Sequence, residues 1–260
     1  MQTAPTPAGM ARALAQYQET VPCAISGSWT LFWDDKDNNA TLSAGDSVSM
    51  SFIQCDDGLG PVINGGMAMV IASYSQTPAT DDMTGSMSFQ SLTLADTVGS
   101  FSMNGGVAFR IIETQTADGS DMLGSYTVAS SGLTVSKQGG SGGLSDTFSY
   151  RAGYAVSDRD FTSKVTGAAS WEVISANGTF GSATLGGDLS LTTMTPFRSV
   201  FTDPTGDIFP TEGQLVAIGR GNTKVGLTAT ETVYVRMDMC DDGDGVWEAS
   251  KMVTWDWMFQ

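Results

Sequence analysis

Trp29-Thr30-Leu31-Phe32-Trp33 and, after an acidic turn, Ser47-Val48-Ser49-Met50-Ser51-Phe52 set the reading of this chain. Trp29, Leu31 and Trp33 alternate with Thr30 and Phe32, and Val48, Met50 and Phe52 alternate with serines. Successive side chains of a strand point to opposite faces, so a period of two marks a half-buried strand. Working outward, the same period returns at Met67/Met69/Ile71, Met87/Phe89, Phe101/Met103, Val107/Phe109/Ile111 and Val233/Val235/Met237/Met239. Asp57-Gly58, Asn64-Gly65-Gly66, Asn104-Gly105-Gly106, Asp118-Gly119, Asn177-Gly178, Gly186-Gly187 and Asp203-Pro204-Thr205-Gly206 read as the turns between strands. The expectation is an all-β fold: roughly a dozen antiparallel strands in up-and-down order, forming a sandwich or an open barrel.

The composition agrees. Glycine supplies 31 of 260 residues and charged side chains only 15%, so hydroxyls and scattered carboxylates must carry solubility. With 41% apolar residues and six tryptophans, the chain has enough apolar surface to collapse rather than stay disordered. Residues 1–22, rich in Thr, Pro and Ala, read as a leader or tether. Residues 23–260 read as one domain, with the glycine-rich run at 138–143 as the place where it would divide. The repeat of Asn-Gly-Gly at 64–66 and 104–106 reads as a reused hairpin device.

Several functions are excluded by arithmetic. Histidine is absent, so no triad, imidazole base or histidine-ligated metal can be built. A net charge of −16 argues against nucleic-acid binding and against polybasic attachment to lipid. No apolar run reaches the ~18 residues of a spanning helix. An outer-membrane barrel stays open, because alternating strands ending at Trp255, Trp257 and Phe259 suit one, although most strands pair their apolar face with Ser, Thr, Asp or Gln. Gly139–Gly143 fits the letters Gly-x-Ser-x-Gly, but it belongs to the glycine-rich run and has no histidine to make a nucleophile elbow; a phosphate-cradling loop is not present. Cys23 and Cys55 flank the first two strands and read as a disulfide of an oxidising compartment, with two buried thiols as the other reading. Cys240 is left over.

The sharpest chemical motif is Asp35-Lys36-Asp37-Asn38-Asn39-Ala40-Thr41-Leu42-Ser43-Ala44-Gly45-Asp46. It resembles the calcium loops of EF-hand and dockerin-type proteins over these twelve residues. Asp35, Asp37 and Asn39 fall on ligand positions 1, 3 and 5, Thr41 on the carbonyl position 7, and Asp46 on position 12. It departs from them at Ala40, where the template has Gly, and at Asp46, where it has a longer Glu. The other reading is an Asx-rich turn that organises its own backbone. A second acidic turn offers a weaker set, Asp242, Asp244 and Glu248, beside Cys240. Trp33–Cys55, Pro210–Leu215, Gly221–Val225, the Asp-Gly-Asp-Gly hairpin and the Trp-containing final strand also resemble uncharacterised secreted or lipoprotein-like proteins of Gram-negative bacteria. That resemblance implies an extracellular, cell-surface or periplasmic location and carries no activity.

The leading expectation is therefore a non-enzymatic envelope or secreted β protein with a structural or adhesive role. Ca²⁺ would hold its hairpin loop, and glycans or envelope proteins would be its partners. Trp255 and Trp257, on one strand face, are the candidate stacking platform for a sugar, against the plainer reading that they fill the core. The alternatives are a carbohydrate-active hydrolase using two carboxylates, with Glu113, Glu172 and Asp188 as candidates, and a carrier of apolar ligands with an unfilled apolar cavity.

Overall fold

A computed structural model describes residues 16–58, 60–139, 145–184, 186–201, 209–230 and 233–255. All of its strands join one antiparallel sheet. In chain order they are β1 (Gln16–Pro22), β2 (Ser26–Asp34), β3 (Ser47–Asp56), β4 (Val62–Gln76), β5 (Thr80–Ala95), β6 (Gly99–Gln115), β7 (Asp121–Gly139) and β8 (Asp146–Tyr150). There follow β9 (Ala155–Ser163), β10 (Ala169–Ser182), β11 (Gly187–Phe201), β12 (Glu212–Ile218), β13 (Lys224–Ala229), β14 (Tyr234–Cys240) and β15 (Ala249–Thr254). Fifteen strands replace the expected dozen. They form a single sheet rather than a two-sheet sandwich. Gln16–Pro22, read from the sequence as leader, is strand β1 and pairs residue by residue with Ser28–Asp34. Residues 1–15, 140–144 and 203–206, on which parts of the leader, dividing-point and turn readings fall, lie outside the described residues.

The order is a pure meander once β8 and β9 are seen as one interrupted strand. β7 pairs with β8 through Leu133–Lys137 and with β9 through Asp121–Ala129; β10 pairs with the same two strands from the other side. Between them Tyr154 N donates to the Arg151 carbonyl (3.0 Å), a turn that inserts a bulge without leaving the sheet.

Bulges also explain the glycine pattern, and here the sequence reading is corrected. Asn64-Gly65, Asn104-Gly105 and Asn177-Gly178 lie inside β4, β6 and β10, not at hairpin tips. Each Asn side chain accepts a backbone N–H from the neighbouring strand: Asn64 from Gln54 (2.7 Å), Asn104 from Ser91 (3.3 Å), Asn177 from Thr193 (3.0 Å). Each following glycine has positive φ, and a Cβ there would collide with the backbone of Ser91, Gly132 or Tyr154. Asn-Gly is therefore a device for crossing a bulge, with the amide capping the N–H that the ladder loses. It recurs on alternate strands of the meander, which is why the copies at 64 and 104 are 40 residues apart.

The two faces differ in chemistry. Lateral rows such as Leu31–Met50–Met67–Phe89 and Trp33–Val48–Met69–Met87–Val107 run directly across β2 to β6. The opposite face carries Ser49, Ser51, Ser86, Ser88 and Thr127, together with a charge ladder. Arg159 (β9), Glu172 (β10), Arg198 (β11) and Glu212 (β12) are successive cross-strand partners, with N–O separations of 4.0 Å for Arg159–Glu172 and 3.7 Å for Arg198–Glu212. Exposed pairs of this kind stabilise by well under ~1 kcal/mol each, so their main effect is on register.

Sealed core is scarce. Among the described residues nine hydrophobic side chains are buried, and four of them, Ala229, Val235, Val253 and Trp255, form one cluster with Phe197, Phe209 and Leu227 against it. None of the residues in the two apolar rows above is buried; all are half-buried. Neighbours on the same strand and across it cover their flanks, while their outward surface has no sealing layer.

Candidate functional site

The acidic turn 35–46 closes the β2–β3 hairpin, and the carboxylates of Asp35, Asp37 and Asp46 converge to within 4.8 Å. Asp46 is fully buried and Asp35 nearly so. Asp46 Oδ1 accepts Lys36 N–H (2.9 Å), while its Oδ2 accepts Ser43 N–H (2.7 Å) and Ser43 Oγ–H (3.0 Å). Its carbonyl accepts Ile71 N–H (2.9 Å) and Gly45 N–H donates to the Ile71 carbonyl (2.8 Å), fastening the loop to β4. Asp35 accepts Asn39 N–H (3.2 Å) and Ala40 N–H (2.7 Å). Burial pushes the Asp35 carboxyl up, but those donors, with Asn38 and the Asp37 side chain, outweigh it and hold the group below the ordinary aspartate range.

The fit to a calcium loop is uneven. In its favour, Ala40 adopts φ +59°, the left-handed conformation for which the template uses Gly at this position. Three carboxylates meet, and the six ion pairs among the described residues leave all three without a cation. Against it, Asp46 already accepts three hydrogen bonds, and Asn39 Oδ1 is turned to Thr41 N–H and Oγ–H, both at 2.6 Å. Lys36 pairs with Asp34 outside the cluster.

The second acidic turn brings Asp242, Asp244 and Glu248 together with the buried, free Cys240. Asp242 Oδ1 accepts Asp244 N–H (3.0 Å), Asp244 Oδ1 accepts Val246 N–H (2.7 Å), and Glu248 accepts Asp241 N–H (3.0 Å). These carboxylates shape the β14–β15 turn. A thiol among hard oxygens makes a poor calcium set.

Cys23 and Cys55 form a disulfide with a Cα–Cα separation of 5.4 Å, at the opposite end of β2 and β3 from the acidic turn. Trp255 is 5% exposed, stacked on Phe209 (6.2 Å) and edge-on to Phe197 (6.3 Å), so its ring fills the core and presents no platform. Trp257 lies outside the described residues. The three hydrolase candidates are not brought together: Glu172 and Asp188 face arginines on the polar side, Arg159 and Arg151, whereas Glu113 stands on the apolar side.

The feature that sequence reading passed over is the apolar face itself. Met50 lies opposite Met67, Met69 opposite Met87, and Met83 opposite Ile111, bordered by Trp29, Trp33, Phe52, Phe89 and Phe109. The period of two was visible. That the strands line up in register to make one continuous methionine and aromatic surface depends on bulge positions the pattern does not reveal. No helix among the described residues is long and apolar enough to cross a membrane. No protein-family model, curated protein or solved structure matches this chain.

Proposed function

We propose that this is a non-enzymatic, extracellular or periplasmic β protein that binds apolar molecules along the methionine-rich face of its sheet. One observation carries the reading: rows of Trp, Phe, Leu and Met run across β2 to β6 half-buried, with no layer that seals them. An apolar surface of this extent favours an apolar partner, since burial is worth roughly 25 cal/mol per Å². Flexible, polarisable thioethers adapt to ligands of varied shape. The disulfide supports an oxidising compartment. Of the two tryptophans of the candidate sugar platform, Trp255 lies in the core.

The test is calorimetric titration with monomeric dodecyl maltoside, a neutral probe, below its micelle concentration. Saturable binding by the native chain, weakened about tenfold or more in Met67→Gln/Met69→Gln, is expected. Absence of saturable binding by the folded protein would overturn the reading.

A stabilising calcium ion at Asp35, Asp37 and Asp46, with Asn39 and the Thr41 carbonyl, is the second reading, favoured by the three uncompensated carboxylates and the left-handed Ala40. After chelation, the melting temperature should then rise with free Ca²⁺, and this rise should vanish in Asp35→Ala/Asp37→Ala. A melt indifferent to Ca²⁺ leaves the turn held by its own hydrogen bonds.

A further inference from the structure

The carboxylates of β5 to β12 are sorted by face. On the polar face Asp82, Glu172, Asp188 and Glu212 each have an arginine partner: Arg110, Arg159, Arg151 and Arg198. On the apolar face a single lateral row reads Asp81 (β5), Glu113 (β6), Gly124 (β7), Asp160 (β9) and Trp171 (β10). The next row holds Met83, Ile111, Tyr126 and Asp158. Among the described residues none of these four carboxylates has a cation within ion-pair distance. Asp81 and Glu113 are direct cross-strand partners, an arrangement that repels in the absence of a counter-charge. Asp81 Oδ1 is buried and has no hydrogen-bond partner.

At the centre of the row, neighbouring side chains fill the place of the side chain that Gly124 lacks. A Cβ on Gly124 would collide with Asp160 Oδ1 and with the Tyr126 hydroxyl, so glycine lets both groups close over that point. Burial, then the charges of Asp160 and Glu113, push the Tyr126 phenol up, keeping it a donor towards Glu113 (3.5 Å). Trp171 Nε1 donates to Asp158 (3.2 Å), fixing an indole beside the acids. Asp81, Glu113, Gln115 and Met122 also line a cavity of about 520 Å³ at this end of the sheet, within the range of small-ligand sites.

We infer that the occupant of the apolar face is a cationic amphiphile, its hydrocarbon chain lying on the methionine rows and its ammonium head held by Glu113 and Asp160 beside Tyr126 and Trp171, with Asp81 adding its charge from the neighbouring strand. This rests on the binding role proposed above and adds the charge of the ligand. Carboxylates supply the Coulomb attraction, and the two ring faces suit an alkylated ammonium that cannot donate hydrogen bonds. A neutral or anionic head would leave the Asp81–Glu113 repulsion uncompensated.

The experiment compares dodecyltrimethylammonium, dodecyl maltoside and dodecyl sulfate as monomers by calorimetry, with circular dichroism confirming that the protein stays folded. The cationic probe should bind at one site at least about tenfold more tightly than the neutral one, and the sulfate most weakly. Glu113→Gln/Asp160→Asn should bring the cationic probe to within about twofold of the neutral one. Asp188→Asn/Glu212→Gln, which removes the same charge from the polar face, should leave the preference intact. A preference that survives Glu113→Gln/Asp160→Asn would trace it to the overall charge of −16 and overturn the inference. Equal binding of neutral and cationic probes would overturn the inference alone and leave the apolar face as a binding surface. Failure of all three would overturn both. A basic amphipathic peptide that bound where the alkylammonium did not would overturn it in favour of a protein partner.

Discussion

Alanine at Gly105 separates the two burdens that a bulge glycine carries. Gly105 and Gly132 have similar φ, +106° and +111°, and meet at one bulge between β6 and β7, where Gly105 pairs with Leu133. A Cβ on Gly132 would meet nothing within 4 Å, whereas one on Gly105 would sit on the Gly132 carbonyl oxygen, well inside contact distance. Gly132→Ala therefore incurs only the conformational strain, about 1–3 kcal/mol. Gly105→Ala incurs the same strain and must also push two strands apart at their closest approach, adding about 1–3 kcal/mol by analogy with overpacking. Equilibrium urea unfolding reads the difference. With a slope near 3 kcal/mol per molar, expected at the upper end for a chain this long, Gly105→Ala should unfold about 0.3–1 M urea earlier than Gly132→Ala. Equal midpoints for the two variants would refute the argument that close approach, rather than φ alone, dictates glycine in the Asn-Gly pairs.

Reduction of the Cys23–Cys55 disulfide, which spans 32 residues of sequence, should cost about 3–4 kcal/mol in the chain-entropy model, seen as a lower urea midpoint in reductant. Asp46→Ala strands the Lys36 and Ser43 N–H groups and should destabilise by about 2–3 kcal/mol, with faster hydrogen exchange at those two amides before any other. The Thr116 hydroxyl, then the Ser120 N–H, hold the Asp118 carboxyl down at about 2. Because that lies below the ordinary aspartate value near 3.9, its stabilising effect is complete above about pH 4 and lost as pH falls through about 2. NMR titration should show this midpoint moving up in Thr116→Ala.

Strand identity was legible wherever alternation was uninterrupted. β2 and β3 could be read from Trp29–Trp33 and Val48–Phe52, and the disulfide from cysteines placed at the ends of the same two strands. β7 was hidden: Gly124 and the bulge around Ser130–Gly132 break its period, so its 19 residues carry no sustained pattern. Asn-Gly was misread as a hairpin signal because hairpins and bulges demand the same positive φ. Only the partner strand distinguishes them. The acidic turn was legible as a cluster, since Asp35, Asp37 and Asp46 converge, but not as a hydrogen-bond network that occupies most of their oxygens. Trp255 shows the opposite failure, where a strand-face pattern cannot say which side receives a covering layer. The row Asp81–Glu113–Asp160 escaped notice because its members are 32 and 47 residues apart and meet only through register.

The apolar face is tested most directly by methionine methyl NMR during titration with monomeric dodecyl maltoside. The expected result is that Met50, Met67, Met69, Met83 and Met87 shift together along one saturable curve. Met252, half exposed on the opposite face of β15, should stay fixed. Shifts confined to Met252, or no saturable shift at all while the protein remains folded, would contradict the assignment of this face as the binding surface.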